Sequence, residues 1–145
     1  MICLMLYHRS LLSSGGHSDK AIGYYATVQS LTAAAQHAAE QPGFRDQREA
    51  FRVMVLELDW DGPVADCDLS VFLAVWWREF ALPTVLWGVG EMDWEGDSER
   101  LLGLCRTREQ ADEMAMRART RGARDVEVSS VTVGRSGWLD GFVRE

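Results

Sequence analysis

Three histidines, three cysteines and two acidic Asp-Trp hexapeptides are the groups in this chain with chemistry to offer. His8 closes an apolar run in YHRS, and His17 stands two residues before Asp19. If the loop over 9–18 folds back, His8, His17 and Asp19 converge at a rim, where an imidazole beside a carboxylate can hold and pass a proton. That is the alternative ligand site. A metal ion would need a third or fourth ligand at matching spacing, and Cys3 falls on the far side of the strand. No metal and no cofactor are therefore expected. His37 lies in an Ala-rich stretch and is expected on an exposed helix face.

Cys3, Cys67 and Cys105 are an odd, widely spaced set with no CxxC, which reads as reduced thiols, most of them filling core. SSGG at 13–16 lacks the Gly-Lys-Ser ending of a phosphate loop and reads as a hairpin tip. No G-x-S-x-G, HExxH or Cys–His constellation occurs, so the reading is of a chain that is not an enzyme.

The two hexapeptides are ELDWDG at 57–62 and EMDWEG at 91–96. Neither supplies the alternating oxygen ligands and distant glutamate of an EF-hand. ELDWDG reads as a strand exit, with Trp60 folded over a sheet edge and its acids in water. EMDWEGDSE, over 91–99, holds five acids and no base around Trp94. An aromatic anchor inside a carboxylate ring suits a cationic protein surface, so Asp93, Trp94, Glu95 and Asp97 are the candidate protein-binding residues. Arginines at 117, 119, 121 and 124 gather near a helix end, where they complement its dipole.

With 15 basic and 22 acidic residues the net charge is −7. Nucleic-acid binding is driven by cations that displace counterions, so a nucleic-acid partner is not expected. MICLMLYHRS has no basic n-region and reads as a first strand, pointing to a cytoplasmic chain. Arg78, Glu79 and Pro83 interrupt the apolar run from Val71 to Val89, so no membrane span is expected.

These groups are positioned by a repeat. At a shift of 80, SDKAIGYYATVQS (18–30) lies over SERLLGLCRTREQ (98–110), matching Gly23 with Gly103 and Thr27 with Thr107. Upstream, Leu6 meets Leu86 and Tyr7 meets Trp87. Each copy reads strand, strand, helix, strand. Thr27 and Thr107 are natural N-caps, and Pro42-Gly43 and Gly122 natural stops. The expected fold is α+β, with two ββαβ repeats over 1–62 and 82–145. They form a ferredoxin-like-related antiparallel sheet with helices on one face. Residues 63–81 connect them as a buried segment, with Asp66 or Asp68 capping a helix. Residues 69–81 lean only slightly to helix, since Val71, Phe72, Val75, Trp76 and Trp77 also favour strand, and the segment could also pair copies of the chain in a homo-oligomer through Val71–Phe80.

KAIGYYAT, the Ala-rich helix, QPGFRD, the F-x-V strand ending in ELD, and Trp138, Gly141 and Phe142 resemble a family of short bacterial domains of unknown function. That pattern runs K-x-I-G-x-Y-S-S, helix, Q-P-G-F-x-D, then a final Trp followed by Gly-Phe. The second copy departs from it, with Arg121, Gly122 and Ala123 in place of P-G-F. The resemblance implies the fold and transfers no catalytic residue. It also implies a partner-binding or immunity role, here neutralising a cationic toxin. The alternative is a small-ligand domain or enzyme using a groove between the repeats.

Overall fold

The computed structural model describes residues 1–75, 82–93 and 98–142. The first unit runs β1 (Ile2–Leu11), β2 (His17–Tyr25), α1 (Val28–Ala39), a 3-10 segment (Phe44–Ala50) and β3 (Phe51–Glu57). A short strand β4 (Ala65–Asp68) and a helix α2 (Leu69–Val75) follow. The second unit runs β5 (Val85–Asp93), β6 (Ser98–Cys105), α3 (Arg108–Thr120) and β7 (Val126–Thr132). The strands form two antiparallel sheets, ordered β2-β1-β3-β4 and β6-β5-β7. The fold is α+β, with ββαβ in each half.

Strand alternation builds the layers. In β1, Leu4 and Leu6 turn toward α1, joining Leu31, Ala35, Phe44, Val53 and Val55 in one core. Cys3, Met5 and Tyr7 turn the other way, meeting Leu56, Leu58, Leu86 and Leu104 in a second core. In the second unit Val89 and Cys105 pack on Ala111, Met114 and Ala115 of α3. The order is helix, sheet, sheet, helix, with the two sheets face to face. Each leucine or phenylalanine buried this fully contributes about 2 kcal/mol relative to exposure.

Both helices start as their sequences predict. Thr27 Oγ1 accepts from the Ser30 amide at 3.1 Å, and Thr107 Oγ1 from the Gln110 amide at 3.2 Å. Gly122 closes α3 at φ 99°, with the Ala123 amide bonded to the Ala118 carbonyl, a left-handed stop that glycine reaches without strain.

The repeat holds through the second strand and helix but slips in the first strand. Gly23 pairs Leu6, and Gly103 pairs Val89, each beside a register shift. The partner of Leu6 is thus Val89, not Leu86. Leu6 faces a helix, whereas Leu86 faces the opposite sheet. Matching leucine to leucine hid a three-residue difference between the β1–β2 and β5–β6 connections.

Two further expectations change. Asp66 lies inside β4, whereas Asp68 ends β4 directly before Leu69, the first residue of α2, and both carboxylates pair with Arg52 of β3. Residues 69–75 are helical, but only Phe72 is buried, while Val71, Leu73 and Val75 are exposed. Residues 76–81 lie outside the described residues.

The two units are tied by reciprocal straps. After β3 the chain crosses to β6: the Asp59 amide bonds Leu104 O at 2.7 Å and the Gly62 amide bonds Leu102 O at 2.7 Å. After β7 it crosses back to β2: the Gly134 amide bonds Tyr24 O at 2.7 Å and the Gly137 amide bonds Ile22 O at 2.6 Å. Asp59 and Gly134 share a left-handed backbone, at φ 64° and 87°. The structural partner of ELDWDG is therefore TVGRSG at 132–137, and EMDWEG belongs to a different position. The acids of ELDWDG are not merely solvated. Asp59 holds the amide and guanidinium of Arg106, and Asp61 pairs Arg121 at 3.1 Å and Arg117 at 3.7 Å. The arginines at the end of α3 thus clamp the strap of the first unit.

The residues that carry the family resemblance meet at one place. The Phe142 amide bonds Pro42 O at 2.9 Å, and the Phe44 and Phe142 rings meet edge to face at 4.8 Å. Lys20 Nζ sits 4.2 Å from the Phe142 ring centre. Gly43 at φ 83° passes so close to Phe142 that a Cβ there would lie 2.6 Å from its carbonyl oxygen.

Candidate functional site

Between the two units lies an open groove of about 1130 Å3. Its first wall is the inner face of the first sheet. Met5 and Met54, cross-strand neighbours, line it beside Tyr7 and Arg9. The facing wall brings Met92, Leu101, Leu102 and Met114 from the second unit. Four of the six methionines in the chain therefore line one groove. The thioether is polarisable and its chain is unbranched, so such a wall adapts to varied apolar shapes.

The polar groups of the first wall form a ladder. Tyr7 is almost wholly buried, and its hydroxyl donates to Asp66 Oδ1 at 2.6 Å while accepting from Arg52 Nε at 3.0 Å. Arg52 also reaches Asp68 at 2.7 Å. Burial, reinforced by the Asp66 hydrogen bond, pushes the Tyr7 phenol up to about 12. Arg9 forks onto Asp19 at 3.0 and 3.2 Å, and its guanidinium lies 5.8 Å from the Tyr7 ring centre. On the other wall Arg100 stands 3.8 Å from Glu91, and Asp61 brings Arg121. Burial, then Glu127, raises the Glu99 carboxyl. Six carboxylates and four guanidiniums line the groove.

The histidine site does not assemble. His8 is fully buried on the helix side of the first sheet, away from the groove. His17 is exposed at the start of β2, opposite Leu11, and Asp19 faces the groove on Arg9. Only Asp19 of the three lines the groove. His37 is exposed, and one ring nitrogen bonds Leu139 O at 3.1 Å. Of the acidic hairpin, Asp93 ends β5 opposite Ser98 along the backbone. Trp94, Glu95 and Asp97 lie outside the described residues. The strands flanking that hairpin supply Glu91, Met92, Glu99 and Arg100 to the groove.

No family model, curated protein or solved structure matches this chain.

What the groove can do follows from its own groups. The thiols keep their protons: burial pushes Cys3 up to about 12 and Cys105 up to about 11, and raises Cys67. A thiol is nucleophilic as thiolate, so burial disfavours the reactive form of all three. Among the described residues no three His, Cys, Asp or Glu side chains gather as a metal ligand set would. The arrangement suits binding: an adaptable apolar floor with fixed ion pairs at the rim. Sequence reasoning missed Tyr7, Arg52 and the methionines. The signal was the odd-numbered face of β1, Cys3-Met5-Tyr7-Arg9, which runs from apolar to charged.

Replacing Tyr7 with phenylalanine tests the ladder. Asp66 keeps Arg52, so the expected loss is about 1.5–3 kcal/mol in chemical unfolding, that of hydrogen bonds to charged groups with neither charge orphaned. A loss several times larger would show that the phenol, and not Asp66, holds Arg52 in place.

Proposed function

We propose that this chain is a non-enzymatic binding protein that holds an amphipathic, cationic segment of a partner protein in the groove between its units. A bacterial toxin is the kind of partner the charge favours. The observation that carries this reading is the groove with its four methionines. At about 1130 Å3 and open, it exceeds the roughly 300–1,000 Å3 usual for enclosed small-molecule sites. An apolar, adaptable floor with ionic edges suits a side of a peptide. The net charge of −7 favours a cationic segment, steering it electrostatically before contact. The acidic hairpin joins two strands that line the groove, so Asp93, Trp94, Glu95 and Asp97 belong to the same reading.

The test is titration calorimetry with the partner captured from the native host, against wild type and two variants. Charge reversal at Asp93, Glu95 and Asp97 is expected to weaken binding tenfold or more, about 1.4 kcal/mol, without lowering the melting temperature. Met54→Arg, within the groove, is expected to weaken it comparably. Unchanged affinity in both would remove the groove and the hairpin from the reading.

A further inference from the structure

The outer edge of β7 is unfinished. On its inner side the Met92 amide bonds Asp125 O and the Val133 amide bonds Thr84 O. Hydrogen-bonding direction alternates along a strand, so Glu127, Ser129 and Val131 also point toward β5. The backbone groups of Val126, Val128, Ser130 and Thr132 point outward. Val126 O is taken by Arg119 at 2.8 Å, and Thr132 O is held weakly by the Arg135 amide at 3.4 Å. Both groups of Val128 and of Ser130, and the Thr132 amide, have no partner among the described residues.

The repeat shows what belongs there. Val53 and Val128 occupy matching places opposite Leu6 and Val89, so Val55 matches Ser130. In the first unit that edge is covered: Val64 donates to Val55 O at 2.8 Å, and β4 pairs antiparallel along β3. In the second unit the chain after β7 leaves at Gly134 to strap β2, and among the described residues no strand follows alongside. The other edges are blunted. The straps lie on β2 and β6, and β4 is four residues long and carries Asp66 and Asp68. β7 has seven residues, VEVSSVT, with no proline, no lysine and no bulge, the devices that keep edges from pairing.

We propose that β7 pairs antiparallel with β7 of a second copy of this chain, about a twofold axis through Ser130, giving a continuous six-stranded sheet. The open groups are centred on Ser130. Pairing there sets Ser130 against Ser130 and Val128 against Thr132, so each open group gains a partner. Side chains agree: Ser129 faces Val131, and Glu127 faces Val133, so no like charges stand opposite. The acidic end of the strand, Asp125 and Glu127, comes alongside the partner copy's end that leads to Arg135. The exposed Ser129, Ser130 and Thr132 are small enough to admit a neighbouring strand.

Sedimentation equilibrium of the full chain tests this, alongside Ser130→Pro and Ser130→Lys. Proline deletes the central amide donor, which in the monomer faces solvent and is dispensable there. Lysine sets two ammonium groups against each other on the axis. The expected result is a wild-type dimer, with the dissociation constant raised at least about tenfold in both variants. In hydrogen exchange the Val128, Ser130 and Thr132 amides should gain protection as concentration rises. A wild-type chain monomeric at high concentration overturns the proposal. So does a dimer that both variants leave intact, which would place the contact elsewhere, the exposed side of α2 included.

Discussion

Alanine at Gly23 is expected to cost about 2–3 kcal/mol of stability, and alanine at Gly103 about 1 kcal/mol, although the two glycines occupy the same place in their units. A Cβ at Gly23 would lie 2.6 Å from the Arg135 carbonyl oxygen and 2.5 Å from the Tyr25 hydroxyl. The first is strap backbone. The second is fixed by a 2.7 Å hydrogen bond to Ser136 on the same strap. Neither can retreat without lifting the strap off β2. At Gly103 the nearest atom is the Met114 sulfur at 2.5 Å, the end of a flexible side chain, and the strap oxygen of Trp60 stands back at 3.0 Å. Met114 can rotate toward the groove, so the second substitution is milder. Urea unfolding of both variants measures the difference. Equal losses, or a larger loss at Gly103, would mean that the C-terminal strap yields readily and does not tie the units.

The straps also explain why the two units share one fate. Each unit's exit segment covers the outer strand of the other, and the sheets bury Leu56, Leu86 and Leu104 between them. Neither unit keeps its edge closed or its inner face dry alone. Unfolding is therefore expected to be a single transition, with both straps released together.

The pattern of the chain made some of this legible and hid the rest. Thr27 and Thr107 named the helix starts because a cap is local: a hydroxyl and an amide three residues on. The glycine pair named the repeat because both strands need the same clearance. The first strands misled, since Leu6 and Leu86 look alike, and only pairing register shows them facing opposite layers. β4 was missed because ADCD is only four residues long, too short for its alternation of Ala65 and Cys67 with aspartates to stand out; Arg52, on the neighbouring strand, holds those aspartates. The site was hardest to see. The groove joins residues from β1, β3, β6 and α3, and no local spacing marks their meeting. His8 and Asp19 are close in sequence yet fall on opposite faces, since a strand separates neighbours of unlike parity.

His8 gives the fold an expected response to mild acid. Its Nε2 lies 2.8 Å from the Gln47 carbonyl oxygen, which can only accept, so Nε2 carries the proton. Nδ1 then accepts from the Ser10 hydroxyl at 2.6 Å. Phe44 and Phe51 close edge-on at 4.9 and 4.8 Å, and the residue is fully buried. The burial lowers His8 below its ordinary 6.5, with the Gln47 carbonyl and Glu49 opposing and Lys20 assisting. The unfolded chain therefore takes up a proton first. The stability from neutral His8 is full above about 6.5 and declines as pH falls from there toward the lowered folded value, by at most about 1.4 kcal/mol per pH unit. His8→Gln removes the titration and the ring packing. At about pH 7.5 it is expected to be less stable than wild type by about 2–3 kcal/mol, because the space between Phe44 and Phe51 is poorly filled. Between about pH 6.5 and pH 5, before carboxylates dominate, its stability should fall less steeply than that of wild type. Parallel curves for the two proteins would show that another group takes up the proton and that His8 serves only as a packed link between β1 and the 3-10 segment.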